Sequence, residues 1–390
     1  VLCRHPAYNS ICVYRLGDLD FMQEALRLAA EGAGLASPNP MVGAVVARDG
    51  KIVGRGSHRY EERTHAEVLA LAAAGEAARG ATLYVNLEPC CHTGRTGPCA
   101  DAIVAAGISR VVAAMEDPNP QVAGRGLARL SAAGLAVECG CLGREAQRLN
   151  RGFSQWITTG MPWVTLKAAI SLDGRIAAAR HAVAAPAACT PERSAAQPQW
   201  LSSSASRERV QQLRHQADAL LTGIGTALGD DPLLTDRTKL PRRRRLLRVV
   251  LDSRLRLPIE SQLVRTAKRH HDLLVLHSQG SDQDAARLAK AGAQVERLAA
   301  DSGGRVDLGA ALHRLGALEI LSVLIEAGAE VNGALLAGAW AHRLVLFLAP
   351  RLLGHAGVPL AAGTLDLRLP EALAAENVGP DLMIESDLMH

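Results

Sequence analysis

The chain has 390 residues, enough for two domains or slightly more, with 48% apolar and 21% charged residues. That balance supports packed cores and excludes wholesale disorder. Aromatic residues make up 3% and the formal charge is +4, which argues against base-stacking platforms for nucleic acid and suits anionic small molecules.

The opening stretch to Gly17 reads as a loose extension; with Arg4 and Arg15 it lacks the apolar core of a signal peptide. Residues 20–30 predict a helix with Asp20 as N-cap. Residues 41–47 and 51–54 predict strands joined by a turn at Asp49-Gly50. A helix over 68–78, a strand over 81–87, a helix over 100–106 stopped by Gly107 and a strand over 110–115 follow. Together they predict a three-layer α/β/α domain over residues 1–160. Residues 145–161 read as mixed helix and connection. A second α/β domain is expected over 161–390, opening with a strand at 163–169. Residues 177–199 are Ala- and Pro-rich without a clear period and read as a long loop. A helix over 207–216 and strands at 219–223, 248–251, 272–276 and 323–326 imply a mainly parallel sheet. No run approaches 18 apolar residues, so no membrane span is expected.

Two stretches carry chemistry: Thr64-His-Ala-Glu-Val, and Glu88-Pro-Cys-Cys-His-Thr-Gly-Arg-Thr-Gly-Pro-Cys99. His65, Cys90 and Cys99 supply one imidazole and two thiolates, three ligands that leave a tetrahedral zinc one open position. Glu67 is a carboxylate suited to move protons beside it, the inventory of a zinc deaminase. His65 and Glu67 can share a site only at a helix's first turn, and Pro89 favours a second helix start just before Cys90. Zinc lowers the pKa of bound water by roughly nine units, on the order of 12 kcal/mol of help in making hydroxide at neutral pH. A closed structural site with His92 or Cys91 as fourth ligand is the alternative, and chance placement another. A base deaminase acting on nucleic acid is a further alternative. The eight cysteines are irregularly spaced and three cluster at this motif, which favours a reducing, cytoplasmic setting over a disulfide framework. The common deaminase spacing is Cys-x-x-Cys, whereas here eight residues separate Cys90 from Cys99.

In the second half, Gly223-Ile-Gly-Thr-Ala-Leu-Gly229 and Glu326-Ala-Gly-Ala-Glu-Val-Asn-Gly333 follow strands. Such turns let a helix N-terminus hold phosphate, but neither fits a dinucleotide fingerprint, and plain turns are the alternative. The run from Arg242 to Arg245 reads as a solvated loop.

The string from Glu88 to Cys99, with Ser37-Pro-Asn-Pro40 upstream and Asp117-Pro-Asn-Pro-Gln-Val-Ala-Gly-Arg-Gly126 downstream, resembles the bifunctional riboflavin-biosynthesis deaminase–reductase family. The likeness runs from about residue 20 to the C-terminus. It implies a cytidine-deaminase-like domain that deaminates a diaminopyrimidine carrying ribosyl phosphate, with Asn39, His58, His92 and Arg95 lining the pocket. Leu166-Lys-Ala-Ala-Ile-Ser-Leu-Asp-Gly-Arg175, the stretch from Gly225 to Thr235 and Ile325-Glu-Ala-Gly328 look like the family's dihydrofolate-reductase-like domain, where NADPH reduces the ribosyl side chain to ribityl. By that resemblance Ile170, Trp200, Thr226, Asp230, Ser253, Gly328, Ala329, Glu330, Val331, Asn332, Gly333 and Ala334 meet NADPH. Arg214, Leu234, Arg237 and Glu326 meet substrate, with both arginines suited to the sugar phosphate. A phosphoribosyl-pyrimidine is then the partner, with neither nucleic acid nor membrane, in a homo-oligomer (dimer or tetramer).

Three departures stand out. Gly97 occupies a family proline position, a long insert separates Arg175 from Trp200, and Pro198 replaces a substrate-binding serine. Ser154-Gln-Trp-Ile-Thr158 repeats the string expected near Trp200, ahead of the domain's first strand, and reads as coincidence. A C-terminal half that binds or assembles with weak or lost reductase activity is the competing expectation.

Overall fold

The chain folds as two units: Val1–Pro162 with the short segments Pro241–Arg244 and Gly316–Leu321, and Trp163–Leu240 with Arg245–Leu315 and Ser322–His390. The computed structural model describes residues 2–4, 11–13, 15, 17–92, 97–178, 200–369 and 373–388.

Where the sequence reads as a loose extension, the first unit has a short antiparallel pair of strands, Leu2–Arg4 with Ile11–Val13; helix α1 (Asp18–Ala30) follows, with Gly17 rather than Asp20 as its N-cap. The helix starts early because Asp18 is drawn inward. Arg110 forks onto its carboxylate at 2.8 Å on each side, and the Tyr84 hydroxyl donates at 2.6 Å. Both charges are buried, and Glu138 takes the remaining face of the guanidinium. A hairpin of β1 (Gly43–Arg48) and β2 (Lys51–Ser57) turns at Asp49 and Gly50, both with positive φ. Helix α2 (Ala66–Ala74), β3 (Thr82–Val85), α3 (Cys99–Ala105), β4 (Arg110–Ala113), α4 (Arg125–Ala132) and β5 (Ala136–Cys139) follow. The sheet order is β2-β1-β3-β4-β5, antiparallel across the first three strands and parallel beyond.

Gly43 faces α1, where a Cβ would lie 2.1 Å from the Ala25 carbonyl oxygen; Gly54 and Gly56 face α2, where one would lie 2.1 Å from Ala70 O and 2.0 Å from Ala66 O. Gly56 pairs with Ala44, one step from Gly43, so α1 and α2 cover opposite faces and the unit has three layers. Its core is built of Ala, Val and Leu, as the aromatic scarcity demands. Helices α5 (Gly143–Leu149) and α6 (Arg151–Thr159) close the unit, and the Ser154 to Thr158 string lies inside α6.

Pro89 does not open a helix. Residues 88–91 run as coil, and α3 begins at Cys99 with Pro98 as its N-cap. The reason is packing: a Cβ on Gly126 would stand 1.9 Å from the Pro89 carbonyl oxygen, and the Cys90 carbonyl accepts the Ala100 N–H at 3.1 Å. The chain therefore passes alongside two helix starts instead of forming one.

The second unit contains β6 (Trp163–Ser171), α7 (Ser204–Gln216), β7 (Ala219–Gly223), α8 (Ile224–Asp230), β8 (Leu247–Leu251), α9 (Gln262–His270), β9 (Leu273–His277), α10 (Asp282–Lys290) and β10 (Gln294–Arg297). It continues with α11 (Leu308–Ala317), β11 (Ser322–Ile325), α12 (Ala329–Ala337), β12 (Arg343–Ala349), β13 (Ala374–Val378) and β14 (Asp381–Asp387). The sheet order is β10-β9-β8-β7-β11-β6-β12-β14-β13. The run from β10 to β12 is parallel, and β14 and β13 add an antiparallel edge. Of the expected loop over 177–199, residues 179–199 lie outside the described residues. Among the described residues no helix is long and apolar enough to cross a membrane.

Candidate metal centre and reductase site

His65 is the N-cap of α2, and Glu67 follows in its first turn. Cys90 comes from the coil after β3, and Cys99 is the first residue of α3. The three donor atoms of His65, Cys90 and Cys99 lie within 4.8 Å of one another. His65 Nδ1 is 3.5 Å from Cys90 Sγ and 2.9 Å from Cys99 Sγ. Around a tetrahedral zinc, N and S donors stand about 3.5 Å apart, so the first spacing matches and Cys99 sits somewhat closer. Among the described residues no other His/Cys/Asp/Glu group has this convergence.

The electrostatics suit a cation. Cys90 is held down to about 4, first by the hydrogen bond from Cys99 and then, against burial, by His65 and the Cys99 N–H, while Cys99 is pushed up. Glu67 is buried, and burial pushes its carboxyl up against the pull of its own backbone N–H and of His65. A carboxyl poised in that way can both take and give a proton.

Asn39 Nδ2 meets His58 Nε2 at 2.9 Å, and His58 Nδ1 meets the Thr64 carbonyl at 3.0 Å. If Nδ1 donates to that carbonyl, Nε2 accepts from Asn39. Burial pushes His58 down toward its neutral form. His58 therefore ties the Asn39 loop to the residue preceding His65. Asn86 and Asn150 secure the same loop through Gly43 N–H and both backbone groups of Met41. His92 is exposed, and Arg95 lies outside the described residues.

Glu88 belongs to this centre, and reading the motif as metal chemistry passed over it. Its buried carboxylate accepts the N–H groups of Asp117 (3.0 Å), Gly124 (2.9 Å), Gly126 (2.7 Å) and Leu127 (3.2 Å). It is the N-terminal cap of α4, which has no side-chain cap of its own. Asp117, pushed up to about 6 chiefly by burial, sits on the loop so held, with the charge of His92 opposing the shift.

In the second unit the fork of Arg214 faces Glu326. Arg214 Nε donates to Oε1 at 2.6 Å and Nη2 to Oε2 at 3.0 Å, while Nη1 donates to the Thr235 carbonyl at 3.0 Å. Arg214, expected to meet substrate, thus holds a largely buried carboxylate and a loop carbonyl with its guanidinium. Lys167 Nζ adds a contact to Glu326 Oε2 at 3.5 Å, a residue the sequence placed only within a motif. Burial raises the Glu326 carboxyl, but the charges of Arg214 and Lys167 outweigh it and hold Glu326 down at about 2. The two glycine-rich turns meet: a Cβ on Gly328 would stand 3.6 Å from Thr226 Oγ1, and one on Gly223 would stand 2.9 Å from Val331 Cγ2.

The other cofactor candidates are spread more widely. Ala329, Glu330, Gly333 and Ala334 form the first turns of α12, where the Asn332 amide donates to Leu360 O at 2.9 Å. Ile170 is buried in β6, and Asp230 is exposed at the end of α8. Ser253 follows β8, its hydroxyl accepting Val306 N–H at 3.0 Å. Trp200 is exposed, with the Arg207 guanidinium 5.3 Å from its ring centroid. Leu234 is buried and Arg237 exposed on the loop after α8.

Residues 17–115 match the model of the cytidine and deoxycytidylate deaminase zinc-binding region, and residues 162–384 match the RibD C-terminal domain. The chain is 40% identical over 345 residues to the Escherichia coli riboflavin biosynthesis protein RibD, covering 86% of this chain and 88% of that one. It is 38% identical to the Aquifex aeolicus protein of the same name, over 94% of this chain and 97% of that one. The structure of Acinetobacter baumannii RibD superposes with a TM-score of 0.81 at 34% identity, covering 96% of this chain and 99% of that one. A Thermotoga maritima diaminohydroxyphosphoribosylaminopyrimidine deaminase/5-amino-6-(5-phosphoribosylamino)uracil reductase superposes at 0.77 with 31% identity, over 95% and 99% of the two chains.

Proposed function

The chain belongs to the RibD family of bifunctional riboflavin-biosynthesis deaminase–reductases, and from that premise we propose that His65, Cys90 and Cys99 hold the zinc ion and that Glu67 carries the protons of the deamination. The convergence of the three donors within 4.8 Å, with buried Glu67 in the adjoining helical turn, is the observation that carries this reading. A zinc ion held there supplies Lewis acidity that makes water nucleophilic near neutral pH. Glu67 takes a proton from the attacking water and delivers it to the departing amino group, so that ammonia leaves and the ring carbon keeps oxygen. Asn39, oriented by His58, reads ring donors and acceptors of a diaminopyrimidine; His92 and Arg95 serve the phosphoribosyl side.

In the second unit the reading assigns NADPH to the facing turns of Thr226 and Gly328–Ala334, with Ile170, Trp200, Asp230 and Ser253 around it. Small residues at those turns let phosphate approach the backbone, which supports the assignment. NADPH supplies a hydride to the sugar carbon of the deaminated product. Glu326 and Leu234 shape the substrate side, Arg214 braces both Glu326 and the Thr235 carbonyl, and exposed Arg237 offers charge to the phosphate. Thiolate ligands need a reducing compartment, which supports a cytoplasmic enzyme; a homo-oligomer acting on small molecules completes the reading.

Mass-resolved turnover of the diaminopyrimidine phosphoribosyl substrate, with and without NADPH, tests the whole reading. Ammonia release alone is expected without NADPH, and a product that has also gained a hydride and a proton with it. Deamination with no NADPH oxidation would reduce the second unit to a binding or assembly module.

A further inference from the structure

The loop between α8 and β8 carries Leu234 and Arg237, and its backbone is strained. Asp231 and Leu234 have φ of 38° and 50°, a left-handed conformation unfavourable for a non-glycine residue. Such a loop keeps its shape only if neighbouring groups impose it. Helix α7 does so with Gln211, Arg214 and His215, which at i, i+3 and i+4 share one helix face. The Arg237 N–H donates to Gln211 Oε1 at 2.8 Å, and Arg214 Nη1 donates to the Thr235 carbonyl at 3.0 Å. His215 Nδ1 meets Asp236 Oδ2 at 2.9 Å. Three consecutive loop residues are thus gripped by three side chains of one face.

The His215–Asp236 contact is the directional one. Their side chains are 8% and 7% exposed, so the hydrogen bond forms away from competing water. The second carboxylate oxygen of Asp236 accepts Thr238 N–H at 2.9 Å and the Thr238 hydroxyl at 2.8 Å, closing the turn just past Arg237. The Arg237 side chain is therefore exposed while the backbone on both sides of it is fixed.

We propose that His215 and Asp236 are positioning residues for the reductase substrate, holding the loop so that Arg237 faces the sugar phosphate. This deepens the proposed function and rests on its assignment of Arg237 to the substrate. The pair sets affinity for the phosphorylated substrate and leaves the cofactor and the hydride step untouched.

The experiment compares Asp236→Ala, His215→Leu, His215→Gln and Arg237→Ala in the full chain. Each is assayed for reductase activity with the deaminated phosphoribosyl substrate, with its phosphate-free analogue, and across NADPH concentrations. Asp236→Ala and His215→Leu are expected to raise KM for the phosphorylated substrate about tenfold, with kcat and the KM for NADPH within about twofold. KM for the phosphate-free analogue should not change. His215→Gln, which keeps a donor facing Asp236, recovers part of the loss. Combining Asp236→Ala with Arg237→Ala adds little to Arg237→Ala alone, because both remove the same contact. If Arg237→Ala raises KM while the His215 and Asp236 variants do not, the positioning role is wrong and the substrate assignment stands. If Arg237→Ala also has no effect, the substrate assignment falls. A loss shared equally by NADPH, the phosphate-free analogue and kcat would mark the pair as general support and overturn the proposal.

Discussion

Glu67 and Glu326 are both buried carboxyls, and their surroundings drive them in opposite directions. At Glu67 burial outweighs the pull of its backbone N–H and of His65, so its proton is held more tightly. Glu326 faces two cations and stays ionised. The first suits a proton carrier and the second a fixed anchor. Glu67→Gln preserves shape and the neutral hydrogen-bonding pattern but cannot cycle a proton. It is expected to retain zinc at one ion per chain by elemental analysis while deamination falls by roughly a hundredfold or more. Unchanged ammonia release would remove Glu67 from the mechanism. His65 and Glu67 were legible as a candidate pair because the sequence starts a helix between them, and only at such a start can residues two apart face one site. The pairing of Arg214 with Glu326 was not legible, because an arginine's type announces an affinity for anions but not which carboxylate the fold places in front of it.

Helix α4 is anchored by a carboxylate from a different part of the chain, with acceptor contacts to residues 29 to 39 positions away. Removing it in Glu88→Ala leaves buried N–H groups at a helix start unsatisfied and should cost about 2–3 kcal/mol of stability in the first unit. Glu88→Gln, which keeps one acceptor oxygen, should cost about 1 kcal/mol. Urea unfolding followed alongside ammonia release measures both; equal stability of the alanine variant and the parent would show that the cap is dispensable. The same long reach explains which elements could be read in advance. The turn at Asp49-Gly50 and the stop at Gly107 follow from local backbone preference. The start of α1 depends on Arg110, 92 residues from Asp18, and the absence of a helix at Cys90 depends on Gly126. Neither partner is visible from the local string.

At the scale of the whole molecule, two alternating α/β patterns in one chain announced two units, and the order of motifs announced the family. The short segments Pro241–Arg244 and Gly316–Leu321, which belong to the first unit although the second unit's segments flank them in sequence, were not legible. No composition or periodicity marks a segment as belonging elsewhere. Because the proposed metal ligands all lie in the first unit and the proposed NADPH contacts all lie in the second, the two activities should separate on metal removal. Dialysis against a strong chelator is expected to abolish ammonia release and to leave NADPH oxidation with already deaminated substrate within about twofold of the untreated enzyme. Parallel loss of both activities would place a metal requirement in the reductase as well.

Helix α2 rests on the bare backbone of Gly54 and Gly56, with no room at either position for a single methyl group. The height of that helix above the sheet also fixes where its N-cap, His65, can stand. The spacing of the proposed ligands is therefore gauged by side chains that are missing, on a strand that contributes none of those ligands. Anyone thickening this aromatic-poor core to make the enzyme more heat-resistant would be turning an adjustment screw on the metal centre.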